Sequence, residues 1–249
     1  MIQLTFPSTI AFRWLGCLGI AVGVFCFGVN ANAHYLWISV DHEQEPNTGT
    51  NIYFEESARP GDGHYLDHFL GKSDVWIRTI EDPAPEPIRA KEVNEGELRW
   101  MQVGLPKAEE YSVDSYGKFG VYEYGTTKVL LHYYARNLRV KSHDAMHELG
   151  YAEQLNLDLV PHNFGNDYEF TLLWKGKPVP DRMVFIRGAD GLRKNVKTDA
   201  KGKVKLTRPS NGDLTLRSSV EFATPGKENG EAYELVRHNI TLVLPAIKS

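Results

Sequence analysis

From Tyr168 onward apolar and polar residues alternate: Tyr168, Phe170, Leu172 and Trp174 share one side of the chain, while Glu169, Thr171 and Lys175 share the other. A period of two fits a half-buried β-strand and excludes a helix there. Similar runs follow at 182–187, 195–198, 203–207, 213–219 and 238–244, and their spacing predicts an antiparallel sandwich. Asp199-Ala-Lys-Gly202 reads as a hairpin turn in which Gly202 takes positive φ.

The first half continues in the same idiom. Strands are expected at 35–40, 51–55, 75–80, 98–103, 111–116 and 128–136, the last a central strand with His132 inside it. Three prolines in 81–87 impose an extended connection. Glycine alternating with aromatic residues over 116–125 suits tight turns with rings packed over bare backbone. The single expected helix is 142–152, with Ser142 as N-cap and Gly150 near its end. The fold class is therefore all-β: two consecutive antiparallel β-sandwich units, of immunoglobulin-like or transthyretin-like kind, at 34–156 and 157–249.

Residues 1–33 read as an export signal. An apolar run of 16 residues, 14–29, follows the lone Arg13 and ends at Ala31-Asn32-Ala33. That run is shorter than the roughly 20 residues a membrane span needs, and no later stretch is apolar enough to cross a bilayer. Cleavage after Ala33 would make His34 the first residue of a periplasmic or extracellular protein. Both cysteines, Cys17 and Cys26, would leave with the signal, so the mature chain has no disulfide and any metal must be held by nitrogen and oxygen ligands. The net charge of −4, or −5 without Arg13, supplies no basic field for nucleic acid.

Several motifs together resemble a bacterial periplasmic family of unknown function often described as nickel- or cobalt-transport-like (NikM-like). They are Ala-His-Tyr-Leu-Trp at 33–37, Tyr-Tyr-Ala at 133–135, Leu-Val-Pro at 159–161, Gly-Lys-Pro-Val-Pro at 176–180 and Thr-Asp-Ala-Lys-Gly-Lys-Val at 198–204. The C-terminal part also resembles transthyretin-like and carboxypeptidase-regulatory β modules, which share the Thr-Asp-x-x-Gly turn. The resemblance implies an exported all-β protein concerned with divalent metals, with a membrane transport component as a possible partner. Transport-associated relatives carry further membrane helices, which this chain lacks.

All nine histidines follow Ala33, and nitrogen and oxygen donors favour copper(II), nickel(II) or zinc, copper most tightly, with cobalt added by the resemblance. A mature His34 would offer its ring and its α-amine to one ion, the amine titrating near ~7.7–8.0 and so displaceable at neutral pH. His64 and His68 are four apart, so a helical turn would place them on one face, with Asp67 beside them. His132 is either a further ligand or a hydrogen-bonded buried histidine. The pair His143 and His147 reads more simply as a solvated helix face, and His162 and His238 as residues at strand ends. The expected metal set is His34, His64, His68 and His132. Tyr65 stands where a zinc-protease motif needs its glutamate, no Gly-x-Ser-x-Gly elbow exists, and no catalytic residue is assigned. The expected function is non-catalytic binding of copper, nickel or cobalt for uptake or delivery. The alternative is an interaction module at the cell envelope that binds protein or glycan.

Overall fold

The computed structural model describes residues 34–40, 49–104, 108–162, 167–207, 209 and 211–245. The export segment, the cleavage point after Ala33 and His42 lie outside the described residues. In chain order the strands are β1 (Tyr35–Val40), β2 (Thr50–Glu55), β3 (Asp74–Thr79), β4 (Glu86–Pro87), β5 (Lys91–Glu95), β6 (Leu98–Val103), β7 (Tyr111–Tyr124) and β8 (Thr127–Arg139). After helix α1 (His143–Leu149) come β9 (Leu157–His162), β10 (Asp167–Trp174), β11 (Lys177–Pro178), β12 (Met183–Arg187) and β13 (Arg193–Lys197). They are followed by β14 (Lys203–Thr207), β15 (Leu214–Phe222), β16 (Gly226–Glu228), β17 (Glu231–Tyr233) and β18 (Leu235–Leu244). The chain is all-β, as its alternation predicts.

Three sheets are layered. A four-stranded sheet runs β1-β2-β6-β5, an eight-stranded sheet runs β13-β12-β15-β18-β8-β7-β3-β4, and a third joins β9, β10, β11 and β14. The parity of β8 shows that the large sheet lies in the middle. Val129, Leu131, Tyr133 and Ala135 enter a core shared with Leu36, Ile52 and Met101 of the first sheet. Tyr134 and Leu138 enter a second core, with Leu159, Phe170 and Leu206 of the third sheet. A strand buried on both faces must be apolar nearly throughout, which is how Val-Leu-Leu-His-Tyr-Tyr-Ala reads.

β18 is buried on both faces from His238 to Leu244, its polar Asn239 and Thr241 included, and it lies beside β8. The two pair in parallel, Leu235 with Val129 through Val243 with Asn137, while the other pairings among the described strands are antiparallel. The expected division at 156/157 is thus crossed by one hydrogen-bonded sheet, and Asn32–Ser249 clusters as one compact unit. The last strand could bury both its faces only between two layers, so it returned to the middle of the sheet.

Local expectations hold in part. Ser142 caps α1, its hydroxyl accepting from Ala145 N–H at 3.1 Å. Gly202 has φ +73°, and Asp199 accepts the Lys201 and Lys203 N–H groups across the turn. The glycine-aromatic stretch 116–125 is mostly strand and not a series of turns. Gly120, at φ +109°, sits where the β7/β8 register shifts, and the hairpin turns only at Gly125. Gly117 does lie under a ring, since a side chain there would run into Phe69. Among the described residues no helix is long and apolar enough to cross a membrane.

Candidate functional site

Glu55 ends β2 opposite Tyr35 of β1, which brings its carboxylate to the start of the first strand. The Arg-Pro-Gly-Asp-Gly loop then folds over it. Gly63 N–H donates to Glu55 Oε1 at 3.2 Å, and a side chain at Gly61 would collide with the carboxylate. With Oε1 engaged, Oε2 faces His34 Nε2 at 3.8 Å. That separation suits an ion pair with a protonated ring and is too long for a direct hydrogen bond. Among the described residues no hydrogen bond reaches His34 Nδ1.

Three of the four expected metal residues border one aromatic group. The His34 and His64 rings lie edge-on to Tyr65, at centroid distances of 5.4 and 4.5 Å. Tyr65 meets Phe119 at 5.9 Å, and Phe119 stacks on His68 at 3.9 Å. His68 is held there by a 2.8 Å hydrogen bond between Nδ1 and the Phe119 carbonyl, on a short 3-10 turn, Leu66–His68. Asp67 is drawn away, its carboxylate ion-paired with Arg99 at 2.6 Å. Among the described residues no group of three His, Asp or Glu side chains is placed to share one metal ion.

His132 does not join this set. Even-numbered residues of β8 face the third sheet, so His132 lies on the opposite side of the middle sheet from His34, His64 and His68. There it stacks on His238, its ladder partner, at 4.6 Å. Hydrogen bonds join Tyr116 Oη to His132 Nδ1 (2.9 Å) and Tyr134 Oη to His238 Nδ1 (3.1 Å). Burial, then the nearby Lys118, pushes His132 down to about 4; burial, then His132, pushes His238 down to about 3. Both are neutral and hydrogen-bonded, His238 buried and His132 half-buried. His238 sits within β18, not at a strand end as its sequence context suggested.

The metal set omits Glu55, because a carboxylate at a strand end carries no signal until the register places it opposite Tyr35. It also omits a buried ionic group in the second core. Asp114 accepts from Arg78 Nε (3.2 Å), Arg136 Nε (2.8 Å) and Gln154 (2.8 Å), and Asp158 accepts from Arg136 Nη1 (2.8 Å). The same guanidiniums bond the carbonyls of Leu149, Gly150 and Tyr151, which end α1. Burial raises Asp114, yet two guanidiniums outweigh it and hold the carboxyl below its usual range. Asp158 faces one arginine closely, and burial leaves it raised.

No family model matches the chain, and no curated protein matches it. Among solved structures it is similar to a two-domain fibronectin type-III segment of chicken tenascin, at 12% identity over 85% of this chain and 98% of that one, with a TM-score of 0.23. A cytokine receptor complex matches at 12% identity over 69% of this chain and 78% of that one, with a TM-score of 0.20. Pullulanase type I from Bacillus subtilis, complexed with maltose, matches at 10% identity over 80% of this chain and 24% of that one, with a TM-score of 0.18. With TM-scores this low, the all-β architecture rests on the chain's own strand pairing.

Proposed function

We propose that this chain is an exported, non-catalytic binding protein that holds a divalent transition-metal ion, copper(II) before nickel(II) or cobalt(II), at His34 for uptake or delivery. The observation that supports this reading is the placement of His34 against Glu55. A carboxylate beside Nε2 favours a ring orientation that turns this edge toward Glu55, much as outer carboxylates orient metal-bound histidines. Nδ1 is left beside the residue's own backbone nitrogen. After cleavage at Ala33 that nitrogen is an amine, and the two atoms can chelate one ion together. His64, whose ring also borders Tyr65, is a candidate further ligand. A site with few protein ligands exchanges its ion readily, which suits delivery better than storage.

The experiment is native mass spectrometry of the protein exported with its own signal, before and after stoichiometric copper(II) or nickel(II). A mass starting at His34 with one retained ion, lost when an extra residue precedes His34 and weakened by Glu55→Gln, supports the reading. A different start, or no retained ion, overturns it. The interaction reading would then stand, favoured by exposed aromatic residues at one end of the middle sheet, where Tyr122, Tyr124 and Phe222 each keep more than a third of their surface in solvent.

A further inference from the structure

The first sheet covers only part of the middle sheet's face. Beyond β1 the odd-numbered residues of β12 and β15 are left facing a cleft of about 500 Å³, lined by Trp37 and Ser39 of β1, the 56–59 loop, and Phe185, Arg187, Thr215 and Arg217. That volume is in the range of small-molecule sites, roughly 300–1,000 Å³.

Two guanidiniums lie half-buried in it. Arg217 pairs across the ladder with Phe185, and Arg187 with Thr215, so the arginines are diagonal neighbours, about 7–8 Å apart at their backbones. Arg217 rests on two rings, its Cζ 4.5 Å from the Tyr35 centroid and 5.0 Å from that of Phe185. Stacking uses the faces of a guanidinium and leaves its in-plane N–H donors free to point into the cleft. Arg187 spends Nη1 on the Ile186 and Lys194 carbonyls and on Asn195 Oδ1, which fixes the group without neutralising it. Among the described residues no carboxylate lies within ion-pair distance of either. Burial, then repulsion from Arg217 and Arg193, holds the Arg187 guanidinium below its usual range. Folding has placed like charges together, partly desolvated, with unfilled donors aimed at one cavity.

We propose that this cleft binds a small di- or tricarboxylate, one carboxylate on the Arg217 fork and a second on Arg187. Planar carboxylates match a guanidinium edge with two parallel hydrogen bonds. The diagonal spacing asks for two such groups joined by a few carbons. Glu56 and Asp213 also border the cleft, which disfavours compact, densely charged anions and leaves room for a ligand whose charge is spread out.

The test is calorimetric titration of the exported, chelator-treated protein with succinate, glutarate and tricarballylate, against acetate, inorganic phosphate and sulfate. Saturable binding of the polycarboxylates, with acetate, phosphate and sulfate much weaker, is expected. Arg217→Lys, which keeps the charge and loses the fork, should weaken it about ten- to a hundredfold, the worth of one charge-assisted hydrogen bond. Ser57→Trp should abolish binding by filling the cleft from an exposed loop, leaving both arginines in place. His34→Ala should leave it unchanged, so failure here and failure of the metal reading are separable. No saturable heat at millimolar polycarboxylate, equal binding of phosphate or sulfate, or indifference to Arg217→Lys and Ser57→Trp would each overturn the proposal.

Discussion

The middle sheet carries two pairs of arginines on its opposite faces, and they are used in opposite ways. Arg78 and Arg136, on the face toward the third sheet, are 5% and 0% exposed. Each is met by carboxylates and by carbonyls at the end of α1. Arg187 and Arg217, on the other face, are half-buried and have rings and amide oxygens against them, with no carboxylate within ion-pair distance among the described residues. A buried charge is tolerated only when it is paired and hydrogen-bonded, so the first pair acts as a clamp on the helix end. The second pair, with solvent at its edge, can remain unneutralised until a ligand arrives.

The largest effect should come from the clamp. Arg136→Leu would strand Asp158 in the core, leave Asp114 with Arg78 as its one remaining guanidinium, and remove the donor from Gly150 O, costing about 3–5 kcal/mol. At this chain length thermal melting should show a fall on the order of 10 °C. If Arg136→Leu melted as the wild type does, the distinction between the two faces would collapse.

Next is acid stability, set by the stacked histidines on the clamp's side of the sheet. An unfolded histidine titrates near 6.5, whereas His132 and His238 are lowered to about 4 and about 3. As pH falls below about 6.5 the unfolded chain takes up protons that the folded chain refuses, so stability declines toward about pH 4 and levels off near 3. Urea midpoints between pH 7 and 4 should fall steeply for the wild type and less steeply for His238→Phe.

Arg217→Gln should be milder, removing contacts with Tyr35 and Phe185 worth about 0.5–2 kcal/mol. It would sharpen the comparison by losing less stability than Arg136→Leu in the same denaturation series. The smallest effect belongs to a third kind of arginine. Arg99 pairs with Asp67 and Glu92 at the surface, where water and salt screen the pair, and Glu92→Gln should leave the melting curve superimposable on that of the wild type.

The strands were largely legible in the chain. Tyr35–Val40 and Leu98–Val103 have the bounds that their composition implies, because local alternation and β-branched or aromatic content are properties of a short window. Ser142 as a cap was legible for the same reason. The candidate site was legible only in pieces. His34, His64 and His68 could be named, since few residue types bind metals, but their common neighbourhood around Tyr65 and Phe119 depends on a loop folding back over Glu55. His132 was named with them and lies across the sheet, because which face a residue takes follows from a register shared with β7 and β18. The division of the sheet also escaped notice, since no local pattern says that a strand starting at Leu235 pairs with one starting at Thr127.

The sequence by itself determined that this chain makes sheets, that β8 is a central strand, and that histidine, carboxylate and backbone are its available metal donors. Each follows from residue type and a period of two. The tertiary structure decided which arginines meet acids and which do not, which histidines share a neighbourhood, and that one eight-stranded sheet joins both halves. Those outcomes turn on pairing between residues more than a hundred positions apart, and a charge buried beside a partner reads in the sequence just like one left facing an open cleft.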